Sequence, residues 1–348
     1  MISSPLVSII IPHWRGADIL LRCLQALREH THTPHEIVIV DNGCDDGSIA
    51  LAQQRFAHVK IVAAGDNLGF ASGCNFGLRA ALGKYAVLLN NDAVVTPGWL
   101  EPMVQVMERE AQIAACQPKI LSLPNPGYFD YAGAAGGLVD FLGYPFCRGR
   151  IFATIEPDQH QYDEPAEIFW ASGACCILRC SVLAETGLLD DAFFAHMEEI
   201  DLCWRMHLAG YRVTAVPQAC VYHQAGSTLH AASPHKTYLN HRNALFLLLK
   251  NYETLLLWVI FPLRLWLDII QAVRLLFTFN GAHAVMVFRA VGEVLLRLPE
   301  LLRKRRQSRR VCRISSAAMR AKFYQRSIIW EYFIRRRTRC SELALRIK

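Results

Sequence analysis

This chain lacks most of the signals that announce a compartment or a cofactor. Its twelve cysteines have no paired spacing and no C-x-x-C occurs; Cys175-Cys176 and Cys180 come nearest to a cluster. A disulfide framework has no support and a zinc site at Cys175–Cys180 has little, so free, buried thiols in a reducing compartment are expected. The stretch Met1–Pro5 has no basic n-region and runs directly into a strand pattern, so no signal peptide is expected. No G-x-G-x-x-G follows the first strand-like run and no G-K-[ST] occurs, which argues against dinucleotide and P-loop sites. There is no low-complexity tract. The apolar stretch from Thr254 meets Arg264 after ten residues, short of the roughly 20 that span a bilayer.

What is present divides in two. The 348 residues are 53% apolar, as in a folded protein, and suit one large domain with or without an appendage. Residues 251–348 carry 20 Lys/Arg against 6 Asp/Glu, whereas residues 1–250 carry 17 against 24. An acidic body is thus followed by a basic C-terminal segment.

Leu6–Ile11 is a continuous apolar run closed by Pro12, as expected of a strand buried on both faces. Helical spacing follows over Asp18–His30, then strands at Glu36–Asp41 and from Val59, a helix over Gly73–Leu82, and a strand at Tyr85–Leu89. Pro97 is placed to open another helix. This alternation predicts an α/β fold with a mostly parallel sheet, in which ligands bind at the carboxyl ends of the strands. Pro118–Glu167 has no clear period and reads as loops and a hairpin. A helix over Glu198–Ala209 stopping at Gly210, and a strand over Tyr211–Val216 ending at Pro217, complete the body.

Three polar groups fall on that carboxyl edge: Asp41, the loop Asp66–Asn75, and Asn90-Asn91-Asp92. Asp41 reads either as an Asx-turn residue or as an acceptor for a nucleobase imide. Gly69 and Gly73 permit close backbone approach to a ligand. Glu198, Glu199 and Asp201 crowd a helix N-terminus, where they can act as caps or as catalytic carboxylates. Asp92 with His223 would suit Mg²⁺ or Mn²⁺ beside a diphosphate, although a lone histidine is more often structural.

The motifs VSIIIP, IVIVDNGCDDGS, NLGFASGCNFGL, VLLNNDAVV, WASGACCILR, EEIDLCWR and VPQACVYH resemble, in order and approximate spacing over residues 6–245, the family 2 glycosyltransferases, inverting enzymes of the GT-A fold. The rhamnosyltransferase-like branch is the nearest likeness. The resemblance implies a nucleotide-sugar site built from Pro12, Asp41, Asn67, Gly69, Asn75, Asn90 and Asn91. It implies Asp92 of a D-x-D-like motif and His223 as ligands of Mg²⁺ or Mn²⁺, and Glu199 as general base. Trp170, Glu198 and Asp201 would serve the acceptor or support the base. The chain departs from the family pattern at Asn90, at Glu199 in place of Asp, and at Arg15 in place of Asn. The activity implied is transfer of a sugar, rhamnose from dTDP-rhamnose being the expected one, from a dTDP- or UDP-sugar to a lipid-linked saccharide in cell-surface polysaccharide or lipopolysaccharide assembly. The alternative is a catalytically inactive membrane- or nucleic-acid-binding protein derived from that fold.

In the basic segment, Arg264, Asp268, Gln271 and Arg274 share one slowly drifting helical face, and Arg289, Glu293, Arg297, Glu300 and Lys304 repeat the pattern. Two amphipathic helices followed by RKRRQSRR predict residence at an anionic membrane surface; packing on the catalytic domain is the competing reading. Nucleic acid is disfavoured as a partner, because few aromatics are placed to stack bases. The expected organisation is a catalytic domain over residues 1–245, membrane-associating helices over 246–310 and a basic tail over 311–348, peripheral on the cytoplasmic face of the inner membrane.

Overall fold

A computed structural model describes residues 5–224 and 233–345; the expectation for Met1–Ser4 lies outside the described residues. Strands β1 (Val7–His13), β2 (His35–Asp41), β3 (Val59–Ala63) and β4 (Tyr85–Leu89) form a parallel block ordered β4-β1-β2-β3. They are joined by α1 (Ala17–His30), α2 (Ser48–Arg55) and α3 (Gly69–Ala80). Next come β5 (Ala93–Val95), α4 (Glu101–Arg109) and β6 (Ile113–Ser122), then four short strands: β7 (Gly137–Val139), β8 (Pro145–Cys147), β9 (Arg150–Ile151) and β10 (Thr154–Ile155). The body ends with β11 (Ala166–Ile168), β12 (Cys175–Arg179), α5 (Cys180–Thr186), α6 (Glu198–Leu208) and β13 (Arg212–His223). The main sheet runs β11-β13-β6-β12-β4-β1-β2-β3, with β5 paired to β13. This is the expected α/β architecture with a mostly parallel sheet.

The continuous apolar run of β1 follows from cover on both faces. Ile10 packs with Val38, Val40, Ala71 and Leu78, while Val7, Ile9 and Ile11 pack with Leu20, Leu24 and Met103. Cys175 and Cys176 divide between the same two clusters, so they cannot share a zinc ion. All twelve cysteines are free, as expected.

Four boundaries differ from the sequence reading. The helix expected from Pro97 starts at Glu101, because Gly98 (φ +72°) turns the chain first. The helix placed at Gly73–Leu82 starts one turn earlier, at Gly69. The final strand does not stop at Pro217 but continues to His223, since a register shift between Val216 and Cys220 leaves the proline outside the ladder. The stretch read as loops and a hairpin contains the end of β6 and the antiparallel sheet β10-β9-β8-β7.

The C-terminal part is helical: α7 (Pro234–Asn251), α8 (Thr254–Phe277), α9 (Gly281–Leu296), α10 (Leu298–Arg310) and α11 (Ser316–Ala321). Among the described residues, α8 is the one helix long and apolar enough to cross a membrane. The first half of its polar face, however, turns inward, while Arg274 stays exposed. Arg264 and Asp268 are buried, the Arg264 guanidinium lies 3.6 Å above the Tyr144 ring, and Asp268 Oδ1 is 3.1 Å from His241 Nδ1. The exposed face carries Leu255, Trp258, Trp266, Val273 and Phe277. The helix therefore packs on the domain, as the competing reading of its sequence had it, and presents apolar side chains outward. In α10, Arg305 is buried, donating to the carbonyls of Leu249 and Tyr252; Arg303, Arg306 and Arg310 are exposed.

The segment after α10 folds back on the body. Phe323 stacks on Tyr252 and Phe169, Asp140 accepts the Ile328 N–H, and Glu156 accepts the Cys340 N–H. Buried Glu331 draws Arg326, Arg335 and Arg337 onto it. Residues 346–348 lie outside the described part.

Candidate active site

A cleft of about 990 Å³ crosses the carboxyl edge of the sheet, and its lining includes residues from both ends of the chain. Pro12, Asn42, Asn67, Gly69, Asn90, Asn91, Asp92, Trp170, Glu198, Glu199 and His223 all face it. β1, β4 and β13 bring their ends to this edge because they belong to the same sheet; β1 is paired with β4, and β5 ties the turn after Asp92 to the end of β13.

Asp41 makes the turn that one of its two readings expects. Its Oδ1 accepts the Cys44 N–H at 2.8 Å, an Asx-turn, and its side chain is not part of the cleft wall. The neighbouring Asn42 faces the cleft instead, accepting the Leu68 N–H and donating to Gly69 O, which pins the 66–69 loop. Asn75 is also drawn away, its amide being held by Leu189 N and O and by Asp191. Asp201, completely buried, is ion-paired to Arg205 and Lys250 and bonded to Asn251, so it anchors α6 to α7 and does not face the cleft. Trp170 is fixed by donation from Nε1 to Leu138 O.

Asp92 and His223 meet. Nε2 of His223 is 3.0 Å from Asp92 Oδ1, and that oxygen, buried, has no hydrogen-bond partner. Asn90 Nδ2 is also 3.0 Å from Nε2. Nδ1 of the same ring lies 2.9 Å from Asp130 Oδ1. A carboxylate behind the ring in this way keeps a proton on Nδ1 and aims Nε2 at Asp92, where a cation would take the place of the Nε2 proton. Burial alone would lower the His223 pKa, but Asp130 and Asp92 push it to about 10. The pair thus calls for positive charge between its members. Adjacent ligands of an octahedral ion at about 2.1 Å stand about 3 Å apart, which is the separation observed. One oxygen and one imidazole suit Mn²⁺ or Mg²⁺, so these residues fit a divalent ion.

The carboxylates of α6 enter from the other side. Residues Phe194 (φ +63°), His196 (φ +70°) and Met197 (φ +73°) have left-handed backbone, an arrangement costing about 1–3 kcal/mol each that surrounding contacts must hold. Asn243 supplies them: its Nδ2 donates to the carbonyls of Phe193, Ala195 and His196, while Arg242 Nη2 reaches Ala192 O and Phe193 O. Gly69, at φ +78°, lets the loop close, since a Cβ there would sit 2.5 Å from Phe194 O. So held, Glu198 and Glu199 face the cleft, each with an unpartnered buried Oε2. Burial pushes the Glu199 carboxyl up to about 7, and burial together with the charge of Glu199 pushes Glu198 higher still. Both carboxyls therefore hold their protons more tightly than ordinary glutamates, and Glu199 is placed to exchange one near neutral pH, as a general base requires.

Comparison with known proteins fits this geometry. The pattern described as Glycosyl transferase family 2 matches residues 8–186, from β1 through α5. The chain belongs to that family. It is a glycosyltransferase, and 29% of its residues over a 241-residue match, covering 63% of this chain and 78% of the other, are identical to those of N-acetylglucosaminyl-diphospho-decaprenol L-rhamnosyltransferase of Mycobacterium tuberculosis. It is 28% identical over 240 residues to the O-antigen biosynthesis protein RfbC of Myxococcus xanthus, of whose length it spans only 18%. Among solved structures, GalNAc-T7 with UDP, GalNAc and Mn²⁺ superposes with a TM-score of 0.58 at 16% identity, over 86% of this chain and 58% of that one. Mannosyltransferase PcManGT from Pyrobaculum calidifontis, in complex with GDP-Man and Mn²⁺, gives 0.52 at 13%, over 92% and 87%. These likenesses establish the GT-A fold of this glycosyltransferase.

Sequence reasoning passed over Asp130, Asn42, His13, His196, Arg242 and Asn243. His13 takes part in positioning Asn91, its Nδ1 lying 2.7 Å from Asn91 Nδ2. The only available signal for Asp130 was an acid in a stretch without period. His196 faces the cleft with an unpartnered Nε2, and burial with the nearby Lys236 holds it neutral, near a pKa of 4.

Proposed function

We propose that this glycosyltransferase moves a sugar, rhamnose from dTDP-rhamnose being the expected donor pair and a UDP-sugar the other, onto a lipid-linked saccharide, with inversion at the anomeric carbon. The observation that carries the reading is the placement of Glu199, unpaired and with a raised pKa, in the same cleft as the Asp92–His223 pair. Glu199 takes the proton of the acceptor hydroxyl as its oxygen bonds to the anomeric carbon and the bond to the diphosphate oxygen breaks. Asp92 and His223 hold Mg²⁺ or Mn²⁺, which when bound offsets the negative charge that grows on the leaving diphosphate. Asn42, Asn67 and Gly69 border the nucleotide, and Glu198, whose proton burial and Glu199 hold more tightly, can in its acid form donate a hydrogen bond to a sugar oxygen.

The acceptor assignment rests on two supports. The mycobacterial relative is named for a decaprenol-linked diphospho-N-acetylglucosamine acceptor, and α8 exposes an apolar face beside the cleft that its residues Leu267, Ile270 and Gln271 help to line. In this reading residues 1–245 carry the chemistry, and residues 246–310 lay the enzyme on the anionic cytoplasmic face of the inner membrane.

Thermal shift against a panel of nucleotide sugars with and without Mn²⁺ tests the site. Stabilisation by dTDP- or UDP-sugars that needs Mn²⁺ and disappears in Asp92→Ala is the expected result; no response from folded protein across the panel overturns it.

A further inference from the structure

The cleft has a second charged group that the reaction described above does not use. Arg150, in β9, is 9% exposed, lines the cleft, and has no carboxylate partner among the described residues. Its guanidinium donates only to Phe152 O and weakly to Cys147 Sγ, and Nε has no partner. The undescribed residues 225–232 contain no Asp or Glu that might supply one. Asp130 acts on Arg150 from beyond ion-pair distance, but a buried guanidinium with no carboxylate in direct contact still gains from an anion brought by a ligand.

A second cation faces the same place. Lys236 Nζ lies 5.0 Å from the centre of the Tyr131 ring, and the Arg150 guanidinium 4.4 Å from it, so both cations stand against one aromatic ring. Lys236 is in the first turn of the 18-residue α7, a turn with no acid, where the helix dipole disfavours a cation and favours an anion. Lys236 too has no ion pair among the described residues. Tyr131 adjoins Asp130, which holds His223, so this cationic corner stands next to the metal pair without being part of it.

We propose that Arg150 and Lys236 form a phosphoryl-binding subsite that takes a substrate diphosphate through contacts separate from Asp92 and His223. The inference rests on the glycosyltransferase reading with a diphosphate-linked acceptor. Donor and acceptor both bring a diphosphate to this cleft, and the acceptor's is the one the metal pair leaves unattended. Arg150 offers a planar fork matched to phosphate oxygens, and Lys236 a point charge. Arg274, exposed on α8 and also lining the cleft, continues the positive wall toward the apolar helix face.

The test uses the full chain and the variants Arg150→Gln, Arg150→Lys and Lys236→Gln, the last at a partly exposed position where folding is not at risk. Binding of inorganic pyrophosphate without metal is measured by calorimetry, together with the dissociation constant of the Mn²⁺–nucleoside diphosphate complex and the KM for a polyprenyl-diphosphate-linked acceptor. Loss of metal-free pyrophosphate binding in both Gln variants, with retention in Arg150→Lys, establishes the subsite even if the acceptor proves to be another molecule. A tenfold or larger rise in acceptor KM at unchanged nucleotide affinity assigns it to the acceptor; a comparable loss of nucleotide affinity assigns it to the donor. Pyrophosphate affinity, nucleotide affinity and KM all within twofold of wild type in folded Lys236→Gln and Arg150→Gln would overturn the proposal.

Discussion

Asp130 Oδ1 stands 2.9 Å from Nδ1 of His223, with both side chains buried. The contact orients the imidazole from behind and leaves Nε2 to face Asp92. Asp130→Asn keeps the shape and removes the charge, so Mn²⁺ affinity should fall roughly 10–100-fold, with nucleotide binding in the absence of metal unchanged. Mn²⁺ titration followed by electron paramagnetic resonance measures this; unaltered affinity would remove Asp130 from the site.

Glu199 gives the pH dependence. Its carboxyl is raised by burial from an ordinary 4.5 to about 7, so the basic form accumulates as pH rises through 7, and kcat/KM should climb with it. Glu199→Gln should abolish that limb and most of the turnover. Stability should move oppositely. A carboxyl whose folded pKa is raised binds more protons folded than unfolded, so its contribution is present below about 4.5 and is lost as pH rises toward 7. Thermal midpoints across pH 4–8 should therefore fall less steeply in Glu199→Gln than in the wild type.

The strained loop before α6 depends on a single amide. Asn243→Ala removes an amide whose two hydrogens are shared among the carbonyls of Phe193, Ala195 and His196, and should cost about 2–3 kcal/mol in stability. The displaced Glu199 should lower kcat by an order of magnitude or more, and nucleotide affinity should weaken with it, because Phe194 of the same loop accepts the Ala71 N–H and packs against Gly69. A variant with stability reduced but kcat intact would show that the loop does not position the base.

Trp258 and Trp266 are 78% and 60% exposed on α8. Replacing both with Glu should leave the thermal midpoint within a few degrees, since exposed positions rarely carry folding energy. Partition onto vesicles containing anionic lipid should fall tenfold or more. Co-sedimentation decides it, and equal partition of the double variant would contradict the membrane-surface reading.

The comparison of sequence with structure divides along contact range. Strands β1 to β4 and helices α1, α3 and α6 were legible, boundaries apart, because each is a local pattern: an apolar run, a helical spacing or a stop at Gly210. Asp92, His223 and Glu199 were legible as motif members, and they do meet in the cleft. Asp41, Asn75 and Asp201 carry the same motif credentials, yet their side chains are taken up by Cys44, Leu189 with Asp191, and Lys250 with Arg205. A motif fixes where a residue sits along the chain and leaves open which neighbour captures its side chain.

By itself, then, the sequence determined the sheet, its polar carboxyl edge and the amphipathic character of the C-terminal helices, since periodicity and turn chemistry act between near neighbours. Tertiary structure alone decided that Asp130 stands behind His223, that Asn243 clamps a loop about 50 residues earlier in the chain, that Arg150 and Lys236 face one ring, and that α8 turns Arg264 and Asp268 inward. Each of these joins residues far apart in the chain, and the free energy that brings them together belongs to the packed core between them.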